Sequence, residues 1–178
     1  TLDGSRDFVS SWRDGMMDGV SSYWFNGSKQ KRLEGNYSKG MLHGELREWY
    51  PNGKLSSSAH YSKQEMDGLV EEWFESGVKS ASGKFSKNVR VGEHQEWFEN
   101  GKIRIRANYE HGVLNGKYEE WFDNGNPKSI SNYSENILEG EKIDYESDGK
   151  LKTQEFFKDG KKTDRSLASP DPLNGSLK

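Results

Sequence analysis

The chain repeats itself every 24 residues, and a period this short restricts a protein to a linear array in which each unit packs only on its neighbours. One glycine column reads Gly44, Gly68, Gly92, Gly116 and Gly140, preceded by Gly19 at a slightly longer interval. Five positions after each glycine comes a ring, at Trp24, Trp49, Trp73, Trp97, Trp121 and Tyr145, and directly behind the tryptophans stand Phe25, Tyr50, Phe74, Phe98 and Phe122. A second glycine closes each segment at Gly53, Gly77, Gly101, Gly125 and Gly149, with Gly27 one place early. A third ring column follows at Tyr61, Phe85, Tyr109, Tyr133 and Phe157, with Tyr37 and Trp12 in the same slot upstream. Only 30% of the 178 residues are hydrophobic and 31% are charged, a balance that alone would suggest disorder. Disordered chains are poor in aromatics, whereas this one carries 6 Trp, 8 Tyr and 8 Phe, most of them in these columns. The rings must therefore be packed.

Each unit reads as a β-hairpin. Tyr50-Pro51-Asn52-Gly53-Lys54 and Phe98-Glu99-Asn100-Gly101-Lys102 place Asn-Gly between two short segments, and Gly supplies the positive φ of a bulged turn. A three-residue loop at Pro51, Asn52 and Gly53 predicts Trp49 opposite Leu55, Arg47 opposite Ser57 and Glu45 opposite Ala59. Because side chains alternate along a strand, Trp49, Leu55, Ser57, Ala59 and Tyr61 should then share one buried face. The small column Ala59, Gly83, Ala107 and Ser131 would leave room for a neighbouring ring to lie over it. Gly15, Gly40, Asn88, Gly112, Asn136 and Gly160 read as turns between units. The fold class is all-β: an elongated, single antiparallel meander of stacked hairpins. Five 24-residue repeats plus terminal half-repeats imply about eleven strands and a length of about 50 Å. Residues 1–7 form a lead-in, residues 8–164 the array, and residues 165–178, rich in Ser, Pro and Asn, a flexible tail or linker.

The unit G-x-x-x-x-W-F-x-N-G-K followed by Y-x-x-G-x-x-x-G, carried by Gly44, Trp49, Tyr50, Asn52, Gly53, Tyr61 and their equivalents, resembles the MORN-repeat variants found chiefly in bacterial proteins. The resemblance implies a meandering sheet of hairpins used as a scaffold for protein contacts. In some relatives it implies lipid binding, and one bacterial group is described as the antitoxin half of toxin and antitoxin pairs.

No catalytic chemistry stands out. With no cysteine, disulfides and thiolate nucleophiles are excluded. His43, His60, His94 and His111 fall at different places in the repeat, and no nucleophile elbow or phosphate loop is present. A non-enzymatic protein without cofactor or metal is expected. A net charge of -3 gives little attraction to nucleic acid, which is not expected as a partner. No apolar run approaches the roughly 20 residues of a membrane helix, and the first six residues lack the apolar core of a signal peptide. A soluble chain, already processed or cut, is expected, with its compartment open.

The polar column Glu48, Glu72, Glu96, Glu120 and Asp144 lies directly before the indole column, on the face opposite it. The predicted register sets Arg104, Lys128 and Lys152 against the last three as cross-strand pairs, and Ser56 and Ser80 against Glu48 and Glu72. The acidic face also carries Tyr50, Phe74, Phe98 and Phe122. These rings either cover a minor second core under lysine stems or form a recognition stripe. The second reading assigns partner binding to Glu48, Tyr50, Glu72, Phe74, Phe98 and Phe122. Alternatives are lipid-headgroup association through Lys29, Lys31 and Arg32, an antitoxin-like neutralising role, and a homodimer formed by edge pairing of the first strand.

Overall fold

The structure, a computed structural model, describes residues 7–163. The anticipated tail at residues 165–178 and all but the last residue of the lead-in lie outside them. Fourteen strands follow one another in a single antiparallel sheet whose spatial order is the order of the sequence. They are β1 Phe8–Arg13, β2 Met16–Trp24, β3 Lys31–Ser38, β4 Met41–Trp49, β5 Leu55–Ser62, β6 Glu65–Trp73 and β7 Lys79–Ser86. The second half comprises β8 Val89–Trp97, β9 Ile103–Glu110, β10 Val113–Trp121, β11 Pro127–Ser134, β12 Ile137–Tyr145, β13 Leu151–Lys158 and β14 Lys161–Thr163. Fourteen strands replace the expected eleven because the short β14 pairs with β13 at the end and the irregular unit at Gly27 also closes, adding β2 and β3. There Phe25 N–H donates to Gln30 O at 3.0 Å, where the regular unit closes sooner, with Tyr50 N–H on Lys54 O at 2.8 Å.

Two kinds of turn alternate along the meander. The loops after the tryptophans close through a glycine with positive φ, as at Gly53 (φ 87). The links between units are two-residue turns with positive φ at both positions, such as Lys63 and Gln64 (φ 51 and 71) or Lys87 and Asn88 (φ 49 and 66). That geometry matches the right-handed twist of the flanking strands and explains the Gly/Asn column. Neither kind of turn stands alone. Asn52 Nδ2 donates to Glu75 O of the next loop at 3.0 Å, Asn100 Nδ2 to Asp123 O at 2.8 Å and Asn124 Nδ2 to Ser147 O at 2.7 Å. On the other side Gln64 N–H donates to Leu42 O and Asn88 N–H to Met66 O. Successive units are thus tied at both ends of their strands as well as along them.

The pairing corrects the predicted register. Trp49 faces Leu55 as expected, but Glu48 faces Ser57, Arg47 faces Ser58, Leu46 faces Ala59 and Glu45 faces His60. Ser56 is extruded as a β-bulge, and the same break recurs between Glu72 and Trp73, Glu96 and Trp97, Glu120 and Trp121, and Asp144 and Tyr145. A one-residue slip exchanges faces. The columns of Ala59 and Tyr61 therefore share a face with the acidic column, and the indoles occupy the other. The expectation that Trp49, Ser57, Ala59 and Tyr61 lie together is overturned, because a bulge present in every unit leaves no trace in the period.

With one layer, little of the sheet is deeply buried. Among the described residues the buried apolar side chains are Ala59 and Ala107, at 8% and 1% exposure. Both belong to the small column, where Ser131 and Gly83 are buried too. Large residues flank them: Leu46 and Val70 pair with Ala59, and His94 and Tyr118 pair with Ala107. The rings of the third column stand opposite the first glycines, Tyr61 against Gly44 and Phe85 against Gly68. These glycines have φ of 101 and 136, a conformation closed to residues with a Cβ, and each leaves the ring open space across the strand.

Gly83 shows how tight the fit is. A Cβ built there would lie 2.1 Å from His94 Nδ1. The imidazole is wedged edge-on against Phe85 and Tyr109, with centroids 5.4 and 5.0 Å away. Gly83→Ala should destabilise the protein by about 1–3 kcal/mol through overpacking. In a His94→Ala background the same change should cost much less, a coupling that a urea-denaturation double-mutant cycle would detect.

Candidate functional site

The two faces differ in how their charges are used. On the indole face cations lie against the rings. Lys79 Nζ stands 6.0 Å from the Trp73 ring and 5.9 Å from that of Trp97, and Arg106 is 5.6 Å from that of Trp121. The same cations are neutralised, Lys79 by Glu71 at 2.5 Å and Arg106 by Glu119 at 3.4 Å and Glu93 at 3.7 Å. Glu119 is buried and takes a second cation, Lys117, at 2.5 Å.

The acidic face is open. An elongated trough of about 710 Å³ runs across the strands, lined by Tyr50, Phe74 and Phe98 with Glu72, Glu96 and Glu99. Ser56, Ser80 and Arg104, the three bulged residues, line it as well, together with Trp73 and Trp97 where the strands enter the loops. Of the sequence-predicted set, Tyr50, Glu72, Phe74 and Phe98 are thus brought together. Glu48 lies outside this lining, exposed, one unit back. Phe122 lines a separate hollow of about 430 Å³ with Lys128, Asp144 and Tyr145. The predicted register set Ser56, Ser80 and Arg104 directly across from the acids without assigning them to the site; in the structure each is extruded as a bulge and lines the trough beside them.

The acids are unequal. Arg104 binds Glu96, and Lys128 binds Glu120 at 2.7 Å, although neither cation stands directly opposite its acid. Glu96 faces Ile105 and Glu120 faces Ser129. The anticipated Lys152 and Asp144 pair does not form. Lys152 reaches Glu146, while Asp144 takes Lys142 at 2.9 Å, Ser129 at 2.7 Å and Thr153 at 3.1 Å. Burial pushes the Asp144 carboxyl up, but the bonds from Lys142, Ser129 and Thr153 outweigh it and hold the group below the ordinary range. Glu48 and Glu72 have no cation partner among the described residues and are exposed. Tyr50 OH donates to Trp73 O at 2.7 Å, which anchors the first ring of the trough to the next unit.

No group of three or more His, Asp or Glu side chains able to hold a metal occurs among the described residues. Among the described residues no helix is long and apolar enough to cross a membrane. The family model described as MORN repeat variant matches residues 42–63, 90–111, 114–135 and 138–159. The chain belongs to the MORN-repeat-variant family. Residues 66–87, between the first two matches, fold into the same strand, turn and strand. No curated protein matches the chain. MORN repeats commonly serve association with proteins or membranes and are typically non-catalytic modules.

Two measurements follow. Arg104→Ala should change stability by less than about 1 kcal/mol, as for other exposed pairs, whereas Trp97→Ala should cost about 2–4 kcal/mol, both read by urea denaturation. The second concerns His94. Burial lowers its pKa, and so does Arg90, while the bond to Lys84 O at 2.9 Å and the nearby Glu96 raise it. A carbonyl only accepts, so Nε2 carries the proton of the neutral ring. Since the unfolded chain binds this proton more readily, stability should be full above about pH 6.5 and fall as pH drops from there toward the folded value. His94→Gln should abolish that part of the acid-side loss and spare the part below about pH 4.5 that arises from carboxylates such as Glu34, held down by Lys31.

Proposed function

We propose that this MORN-repeat chain is a non-enzymatic scaffold that binds another protein along the face bearing Glu48, Tyr50, Glu72, Phe74, Phe98 and Phe122. The observation that carries the reading is the contrast between faces. On the indole face the cations lying against the rings are paired with carboxylates of that face, while the opposite face combines three half-buried rings in one trough with exposed acids that have no cation among the described residues. Rings supply contact area at low entropic cost, and unpaired acids select a basic partner. The non-catalytic character of the repeat agrees with this. Lipid-headgroup association is the second reading. It draws on the family's range of uses, but Lys31 in its candidate basic patch is already paired with Glu34, leaving Lys29 and Arg32 as the exposed cations there.

The test is capture by immobilised protein followed by mass spectrometry. A partner retained by the wild type should fall by about tenfold on Glu48→Lys with Glu72→Lys, and again on Phe74→Ala with Phe98→Ala, while Gln95→Ala on the other face leaves it unchanged. Equal capture by all variants would remove the site. Sedimentation with anionic vesicles at low salt, sensitive to Lys29→Glu and Arg32→Glu, would favour the lipid reading instead.

A further inference from the structure

The trough has a repeat length of its own, and that length selects among the shapes a bound chain can take. This inference rests on the protein-binding reading above and deepens it. Tyr50, Phe74 and Phe98 sit at equivalent points of strands two apart, so they recur about every 9.6 Å across the sheet, as do Glu48, Glu72 and Glu96. The row runs across the strands, whose backbone groups are already paired, so an added β-strand has nothing to bond on this face. An extended strand also returns a side chain to the same side only every second residue, about 6.6 Å, and fails to match. Seven residues of α-helix advance about 10.5 Å, a mismatch near 1.8 Å over the two intervals spanned by the three rings. Three residues of polyproline II advance about 9.3 Å, a mismatch near 0.6 Å over the same span, and return to the same side of the helix. Polyproline II has no internal hydrogen bonds, so it can wind to follow the twist of the sheet without breaking any.

We propose that the trough binds a proline-rich segment in the polyproline II conformation with a lysine or arginine at every third residue. Its prolines lie against Tyr50, Phe74 and Phe98, as aromatic-lined grooves take such helices. Its cations meet the acidic row, foremost Glu72, which has no cation of its own, and Glu99 stands exposed at the loop end of the same trough. The segment's backbone carbonyls are free, and the hydroxyls of Ser56 and Ser80, without a partner among the described residues, stand one repeat apart to donate to them. Phe122 continues the row by one further step, so a longer segment gains contact without any change of register.

The probe is a nine-residue peptide of three Pro-Pro-Lys triplets, titrated calorimetrically against the whole chain. The comparison peptides are an isomer with its three lysines grouped at one end and a helical peptide with lysines seven residues apart. The triplet peptide should bind about tenfold more tightly than either, keep its polyproline II circular dichroism when bound, and lose about tenfold on Glu72→Lys or Phe74→Ala. Glu72→Lys alters an exposed side chain and keeps the test open should Phe74→Ala disturb folding. Equal binding of the grouped isomer, preference for the helical peptide, or no binding of the triplet peptide would overturn the inference. If the triplet peptide fails while capture of a protein partner still depends on Glu72 and Phe74, the face remains a protein-binding surface and only its polyproline II occupant is wrong. If those variants change neither capture nor peptide binding, both readings fall.

Discussion

A sheet with no second layer has nothing to pack against, so each face must be covered by side chains lying down on their own strands. A ring can lie flat only where its neighbour is small. The column Ala59, Gly83, Ala107 and Ser131 supplies that room on the acidic face, and the glycines opposite Tyr61, Phe85, Tyr109 and Tyr133 supply it again one pair further along. The 24-residue period is the spacing at which this alternation of small and large recurs on every second strand. A single hairpin obeying the rule would still be marginal, because its outer strands would have no neighbouring unit to pair with. Stability therefore accumulates along the array, through pairings that are all between consecutive strands.

The bulge beside each tryptophan divides the molecule's labour. By slipping the register one residue it puts indoles on one side and the small, phenolic and acidic columns on the other. On the indole side Lys79 and Arg106 serve rings and carboxylates at once, a use of long stems over apolar surface that leaves little charge for a partner. On the other side the bulged residue itself becomes a side chain of the trough. One extruded position per unit thus provides both the separation of faces and the most variable element of the exposed one.

The period, the hairpins, the two turn columns and the small column were all legible from residue spacing, because each is a requirement repeated in every unit. The face on which the indoles lie was not. Extruding Ser56, Ser80 and Arg104 adds one residue to every repeat alike, so the spacing is the same with the bulge as without it, while the side chains beyond it change sides. The placement of the acids opposite the indoles needed only alternation within one strand, which no bulge interrupts, and that reading survived. The unit at Gly27 shows in the columns through Gly19, Trp24 and Tyr37, but the count of eleven strands omits it because its loop is a residue longer. The cross-strand pairs of Glu96 and Glu120 form despite the wrong register, because long cations reach diagonally. Asp144 is too short for that reach and turned instead to Lys142, Ser129 and Thr153.

The bulge column reads Arg32, Ser56, Ser80, Arg104, Lys128 and Lys152 along the array. Where it is basic, as at Arg104 and Lys128, the acid beside it is neutralised; where it is serine, Glu48 and Glu72 stay free. The result is a negative window two units wide, bounded by a cation on each side, within a ring row that is longer than the window. Repetition alone would let a repetitive partner bind in any register at nearly equal energy, since the ring contacts repeat every step. Each step of slippage out of the window, however, would replace an attraction to a free carboxylate by a repulsion from Arg32 at one end or by the already neutralised Arg104 and Glu96 pair at the other. On the proposed binding function the rings would supply contact that is indifferent to position and the two serines would supply the position, so that affinity and register would be carried by different columns of the same sheet.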